Sequence, residues 1–292
     1  MLYRQSGQRY ARCYLAMFIA GLIAACAQTA TSPRENDVSY VHNGPATLRI
    51  FVEGSGPTIV LLSGQGRGPA DLDGVAHELV RSHYRVVRMD PRGFGESTGP
   101  VDITLRDNAS DVAAIIKSLG SRPVIVAGWA YGNRIARVLA REQPELVRGI
   151  VLIAAGGKFP PATEVTAAIR VTQDNTVPAE KRAEAARFAF YGPASKLLVE
   201  DMLLDHSSDA SIKSQSSTSI PMGAWWDGGS APMLVIQGLN DVVAPPQNGR
   251  SLKEDYPQRV TLVELEGLGH RMVHERPDLV AKAIAAWAAT IK

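Results

Sequence analysis

The stretch Val124-Ile125-Val126-Ala127-Gly128-Trp129-Ala130-Tyr131-Gly132-Asn133 constrains this chain more than any other. An apolar run rich in β-branched residues enters a Gly-x-x-x-Gly turn, and Arg134 to Ala140 follows with apolar side chains at helical spacing. The order is strand, sharp turn, helix. At the middle of the turn stands Ala130, whose methyl group cannot attack a carbonyl.

The same alternation runs on both sides of that turn. Leu48–Val52 and Thr58–Leu62 read as strands, and Gly54-Ser55-Gly56-Pro57 between them fits a β-hairpin or a tight connection. Ser63-Gly64-Gln65-Gly66-Arg67-Gly68 is a glycine loop, and without a following Gly-Lys-Ser/Thr it does not read as a phosphate cradle. Asp71–His83 carries Leu72, Val75, Ala76, Leu79 and Val80 on one helical face. Tyr84–Asp90, Val147–Ala154, Pro232–Gly238 and Val260–Leu265 are further strands; Thr104–Leu119, Pro245 onward and Pro277–Ile291 read as helices. Alternation at this spacing implies βαβ crossovers, hence an α/β fold with a mainly parallel sheet and helices on both faces.

Between Lys158 and Ser230 the rhythm changes: no long β-branched run occurs, and Pro178 can open a helix over Ala179–Phe190. Residues 158–230 are therefore expected to be a helical lid inserted into a core of 46–157 and 231–292. The polar stretch Ser214–Ser219 reads as a loop within it. Phe188, Phe190, Tyr191, Trp225 and Trp226 either line an apolar pocket or anchor the lid.

The first 25 residues stand apart, with Arg4, Arg9 and Arg12, no acid, and an apolar run from Tyr14 to Ala25. This is a secretory signal pattern, too short for a comfortable membrane span. It ends in Leu22-Ile23-Ala24-Ala25-Cys26, which resembles the lipobox of bacterial lipoproteins. That resemblance implies lipidation of Cys26, a tether over 26–45 and a place in the cell envelope; an ordinary signal peptide or an uncleaved anchor is the alternative. Without the leader the 31 basic residues become 28 against 29 acidic, a balance of −1, so no basic excess points to nucleic acid. Cys26 would be the single cysteine left, which excludes an internal disulfide or a thiolate zinc site. No histidine pair has ligand spacing with a supporting carboxylate, so neither a metal nor a cofactor is expected.

Four segments together resemble the α/β-hydrolase family, of the lidded, single-domain kind, across nearly the whole chain beyond the leader. Ser63-Gly64-Gln65 stands where the family has its His-Gly-x oxyanion loop, and Asp90–Ser97 matches its Asp-x-Arg-Gly-x-Gly-x-Ser stretch. Gly128–Gly132 is the nucleophile elbow, and Gly238–Asp241 with Gly269-His270 match the late acid and base segments. The resemblance implies Asp241 as the acid, His270 as the base, and the N–H groups of Gln65 and Tyr131 as the oxyanion hole. Asp90 and Arg92 are expected to pin their loop; His42, His77, His83, His206 and His274 are expected to be surface or structural residues.

The departure is Ala130 in the serine's place, and it leaves three readings open. The chain is a serine hydrolase inactivated at one atom; or an enzyme in which His270 and Asp241 act on water or an acidic proton without a covalent intermediate; or a binding protein that keeps the pocket. In the second, a small ester, amide or other carbonyl compound is the substrate, with Ser63 and Tyr131 as nearby hydroxyls and Ser63, Trp129, Trp225 and Trp226 around the pocket. Oligomeric state is not legible in the residues.

Overall fold

The computed structural model describes residues 37–120, 123–193, 195–196, 209–215 and 220–291. The leader, Cys26, His206 and residues 216–219 of the polar stretch lie outside the described residues. Within them, β1 (Asp37–Asn43), β2 (Ala46–Glu53), β3 (Thr58–Leu62), β4 (Arg85–Met89), β5 (Val124–Trp129), β6 (Val147–Ile153), β7 (Met233–Gly238) and β8 (Val260–Leu265) form one sheet. Its order is β1-β2-β4-β3-β5-β6-β7-β8. The pairs β1–β2 and β2–β4 are antiparallel and all others parallel.

One expectation is corrected here, and one pair of alternatives is resolved. Residues 37–43 are not tether but the edge strand β1, paired along its length with β2. Only Val41 of β1 is buried, so the segment lacks the apolar alternation that marks a strand. Gly54–Pro57 is not a hairpin turn: it joins β2 to β3, and β4 lies between those two strands. The glycines give a tight connection whose partner strands arrive later in the chain.

Each strand sends alternate side chains to opposite faces. Val60, Leu62, Val126, Ile150 and Val235 meet α2 (Leu105–Ser118) and α3 (Tyr131–Glu142) on one face. Ile59, Leu61, Ile125, Ala127 and Ile236 meet α1 (Asp73–Arg81) and α9 (Pro277–Ala288) on the other. Such two-sided burial is what a parallel sheet requires, and β5 and β7 are buried at every position. The insertion between β6 and β7 contains α4 (Thr163–Gln173), α5 (Ala179–Phe190) and α6 (Asp209–Ser214). After β7 come α7 (Gln247–Asp255) and, beyond β8, α8 (Met272–Glu275). Among the described residues no helix is long and apolar enough to cross a membrane.

At the β5–α3 junction the backbone is bent sharply. Ala130 has φ 50° and ψ −112°, a conformation that non-glycine residues rarely adopt. The bend is held by Ala130 N–H donating to the Ile153 carbonyl at 2.9 Å and by Asn133 N–H donating to the Ala130 carbonyl at 3.2 Å. The flanking glycines permit it. A Cβ on Gly128 would stand 2.2 Å from the Gly132 carbonyl carbon, and one on Gly132 would stand 2.5 Å from the Leu62 carbonyl oxygen.

On the other side of β5 a buried ionic cluster ties the loop after β3 to α8. Arg67 donates to both oxygens of Asp71, at 2.8 and 2.6 Å. His274 Nε2 lies 2.8 Å from Asp71 Oδ1, and Arg271 reaches the same oxygen at 3.4 Å. Burial alone would raise the Asp71 carboxyl, but the hydrogen bonds from His274 and Arg67 outweigh it and hold it well below the usual carboxylate range. Burial lowers the His274 imidazole below its ordinary 6.5, in spite of the Asp71 contact.

Two predictions come from these features. Gly128→Ala should destabilise the fold by about 1–3 kcal/mol, the usual range for forced overpacking. Ala130→Gly should stabilise it by about 1 kcal/mol, since relief of about 1–3 kcal/mol of strain exceeds the added entropy of about 0.5–1. Urea midpoints for the two variants check both signs. For His274 the folded pKa lies below the unfolded one, so the unfolded chain binds more protons and stability rises with pH. Stability from this group is present above 6.5 and is lost as pH falls through the lowered folded value. Urea unfolding between roughly pH 7 and pH 5 should show that fall, and His274→Gln should flatten it.

Candidate active site

The carboxyl ends of β3, β5, β7 and β8 deliver the segments singled out in the sequence to one cavity of about 600 Å³. A crevice at strand carboxyl ends is where open α/β sheets hold ligands. Its wall brings together Gln65, Trp129, Ala130, Tyr131 and His270, and the insertion roofs it with Ile169, Phe190 and Ile212 among others.

His270 is buried, and its Nδ1 lies 2.9 Å from Asp241 Oδ2. Asp241 is fully shielded and uses its other oxygen, Oδ1, to accept the Val243 and Ala244 N–H groups at 2.9 and 2.8 Å. One carboxylate thus does two jobs: it shapes the turn after β7 and orients the imidazole. The remaining His270 nitrogen, Nε2, has no hydrogen-bond partner among the described residues.

The loop that carries His270 is fixed from three directions. Trp129 Nε1 donates to the His270 carbonyl at 2.9 Å, with the two rings 6.0 Å apart. Arg271 N–H donates to the Phe190 carbonyl at 2.9 Å, so the base loop is bonded to the end of α5. The Glu275 carboxylate accepts Gly269 N–H and Gly192 N–H, both at 2.8 Å, and bridges the same two segments. The sequence marks Trp129 and Phe190 for the pocket or the lid, not as anchors of this loop, and does not mark Glu275 at all. A glutamate one turn into a short helix carries no signal that would have separated it from any solvated acid.

Opposite the base, the N–H groups of Gln65 and Tyr131 donate to no carbonyl or side chain among the described residues. Tyr131 N–H opens α3, where the first helical amides lack partners within the helix and attract negative charge. The Tyr131 hydroxyl is buried without a partner, and burial pushes it up to about 12. It stays protonated at neutral pH, a donor and not a nucleophile.

Three pocket residues expected from the sequence lie elsewhere. Ser63 is not in the cavity wall: its Oγ donates to the Arg67 carbonyl at 2.8 Å and serves its own glycine loop. Trp225 and Trp226 are also absent from that wall. They are buried and meet each other edge to face at 6.5 Å. Trp225 and Trp226 lie 4.8 and 5.2 Å from the guanidinium of Arg137, which is fully buried. Trp226 Nε1 donates to Asp255 at 2.6 Å and anchors the insertion's end to α7. Arg137, in turn, donates to the Gly156 carbonyl at 3.0 Å behind the cavity. The other aromatics divide: Phe190 lines the cavity 6.1 Å from His270, Tyr191 is buried beside Arg271, and Phe188 is exposed.

Asp90 and Arg92 do pin their loop. Arg92 forms a two-pronged pair with Asp111 at 2.8 and 2.7 Å, and the Asp90 carbonyl accepts Ser97 Oγ–H at 2.7 Å. Among the described residues no group of three or more His, Cys, Asp or Glu side chains is placed to hold a metal ion.

Comparison with known proteins agrees with this architecture. BpoC of Mycobacterium tuberculosis, whose name assigns it to the non-heme bromoperoxidases, is 27% identical over 258 residues, covering 82% of this chain and 96% of that protein. The solved structure of Rv0554 from the same organism superposes with a TM-score of 0.75 at 23% identity, over 87% of this chain and all of that one. The enol-lactonase of Burkholderia xenovorans superposes at 0.71 with 22% identity, over 86% of this chain and 100% of its own. The model of the alpha/beta hydrolase family matches residues 59–283, from β3 into the last helix, and the chain belongs to that family.

Proposed function

We propose that this protein is a hydrolase of small carbonyl compounds that works through His270 and Asp241 without a covalent nucleophile. The observation that carries the reading is the intact buried pair, Nδ1 to Oδ2 at 2.9 Å, beside an elbow that offers only a methyl group. Ala130 lines the cavity, and in this reading a water molecule takes the place of a serine oxygen there. In the proposed step His270 Nε2 takes a proton from that water as its oxygen bonds to the carbonyl carbon, and the oxyanion is held by the Gln65 and Tyr131 N–H groups. Collapse of the intermediate breaks the bond to the leaving group, which receives the proton back from Nε2. Asp241 holds the tautomer and offsets the charge on the imidazolium.

The chain is further proposed to act at the bacterial cell envelope, tethered through lipid on Cys26, on the strength of the leader pattern and its Leu-Ile-Ala-Ala-Cys end.

Activated esters and amides test the reaction. The unmodified chain should turn over at least one of them, and His270→Ala should reduce the rate by about 10²–10⁴-fold, the usual weight of a general base. Asp241→Asn should lower kcat with little change in KM. Activity that is indifferent to His270 sinks the proposal. So does an inert chain in which Ala130→Ser creates His270-dependent esterase activity, the mark of a silenced serine hydrolase or a binding protein. For the tether, Cys26→Ser should move the protein from the membrane fraction to the soluble one.

A further inference from the structure

Among the described residues, the charged side chains that line the cavity are all basic: Arg67, Arg134, Arg182 and Arg271, together with His270. Arg67 and Arg271 share the carboxylate of Asp71, at 2.6 and 3.4 Å. The other two stand differently. Neither Arg134 nor Arg182 lies within 4.0 Å of a carboxylate among the described residues.

Arg134 stacks over Trp225 at 5.5 Å, and Arg182 Nη1 donates to the Asn175 side-chain oxygen at 3.0 Å. The Arg182 Nε is buried without an acceptor. One turn beyond Arg134 the fully buried Arg137 adds a further cation, with no ion pair to a carboxylate among the described residues and its Nη1 unsatisfied. Burial draws the Arg134 guanidinium below its ordinary value. Partly desolvated cations without counter-charge are costly, and a walled cleft concentrates their field on whatever enters.

We propose that the cavity takes an organic acid, its carboxylate seated on Arg134 and Arg182 and its reacting carbonyl at Ala130. The carbonyl end of this assignment rests on the proposed hydrolase reading; the carboxylate end rests on the arginines alone. A guanidinium presents parallel N–H donors whose spacing matches a carboxylate, which neither an amide nor an ester can satisfy equally. Arg134 follows Tyr131 by three residues on α3, so one helix face supplies both the amide for the carbonyl and a cation for the acid. The volume of about 600 Å³ suits a small molecule rather than a polymer.

Binding separates this assignment from the chemistry. Isothermal titration calorimetry of the unmodified full chain, with butanoate to decanoate and the matching primary amides, needs neither turnover nor a variant. The best acid should bind about tenfold or more tightly than its amide, the usual order for a charge-assisted pair. Arg134→Met and Arg182→Met, each confirmed folded by its thermal midpoint, should each remove most of that preference and leave amide binding unchanged. Equal binding of acid and amide, no measurable acid binding across the series, or a preference untouched by both variants overturns the proposal. Inorganic phosphate binding as tightly as the best acid overturns it as well. If the acid preference stands while the ester panel shows no His270-dependent turnover, the hydrolase reading fails alone.

Discussion

The site depends on a contact in which no side chain takes part. Where β5 turns into α3, the backbone at Gly132 sits against the carbonyls that end β3, and Gly128 sits against Gly132. That closeness brings the amide of Tyr131 to the same cavity as the amide of Gln65, and it forces Ala130 into a positive φ. Oxyanion chemistry needs donors fixed before charge develops, and backbone donors braced by backbone contacts reorganise little. Strain at Ala130 is therefore a consequence of geometry that the neighbouring amides require. It persists although the residue there cannot react.

Much of this was legible in the residues because it follows from periodicity and from glycine. The buried strands β5 and β7 announce themselves as apolar runs rich in β-branched residues, and the segments after β5, β7 and β8 carry the elbow, the acid and the base in that order. What stayed hidden had physical reasons. The edge strand β1 is almost wholly exposed, so its sequence is as polar as a linker's. Gly54–Pro57 looks like a hairpin because local turn chemistry says nothing about a strand, β4, that arrives later and pairs between its neighbours. Trp225 and Trp226 carry no mark that separates a pocket wall from a core anchor. Their partner, Arg137, reads in sequence as one more cation on a helix. The arginines of the cavity were missed for a related reason: Arg67, Arg134, Arg182 and Arg271 come from four separate elements, and only folding gathers them.

Charge is distributed with a clear division. Below the base, Asp71 gathers Arg67, Arg271 and His274 into a cluster that neutralises part of the positive wall and fixes α8. Toward the insertion, Arg134 and Arg182 have no such answer among the described residues. Buried cations that are paired serve architecture, and those that are not raise the potential of the space they border.

Glu275 gives the insertion a second role besides covering the cavity. Its two oxygens hold Gly269 N–H on the base loop and Gly192 N–H just past α5, and Arg271 N–H is bonded to Phe190 at the end of the same helix. The roof and the base loop are thus stitched directly to each other, as Trp129 stitches the same loop to the sheet. A displacement of α5 must break the two bonds that cross to it, from Gly192 N–H to Glu275 and from Arg271 N–H to Phe190, or carry the base loop along with it. Strain placed on the roof is therefore felt at the base, because the end of α5 and the loop of His270 hold the same carboxylate.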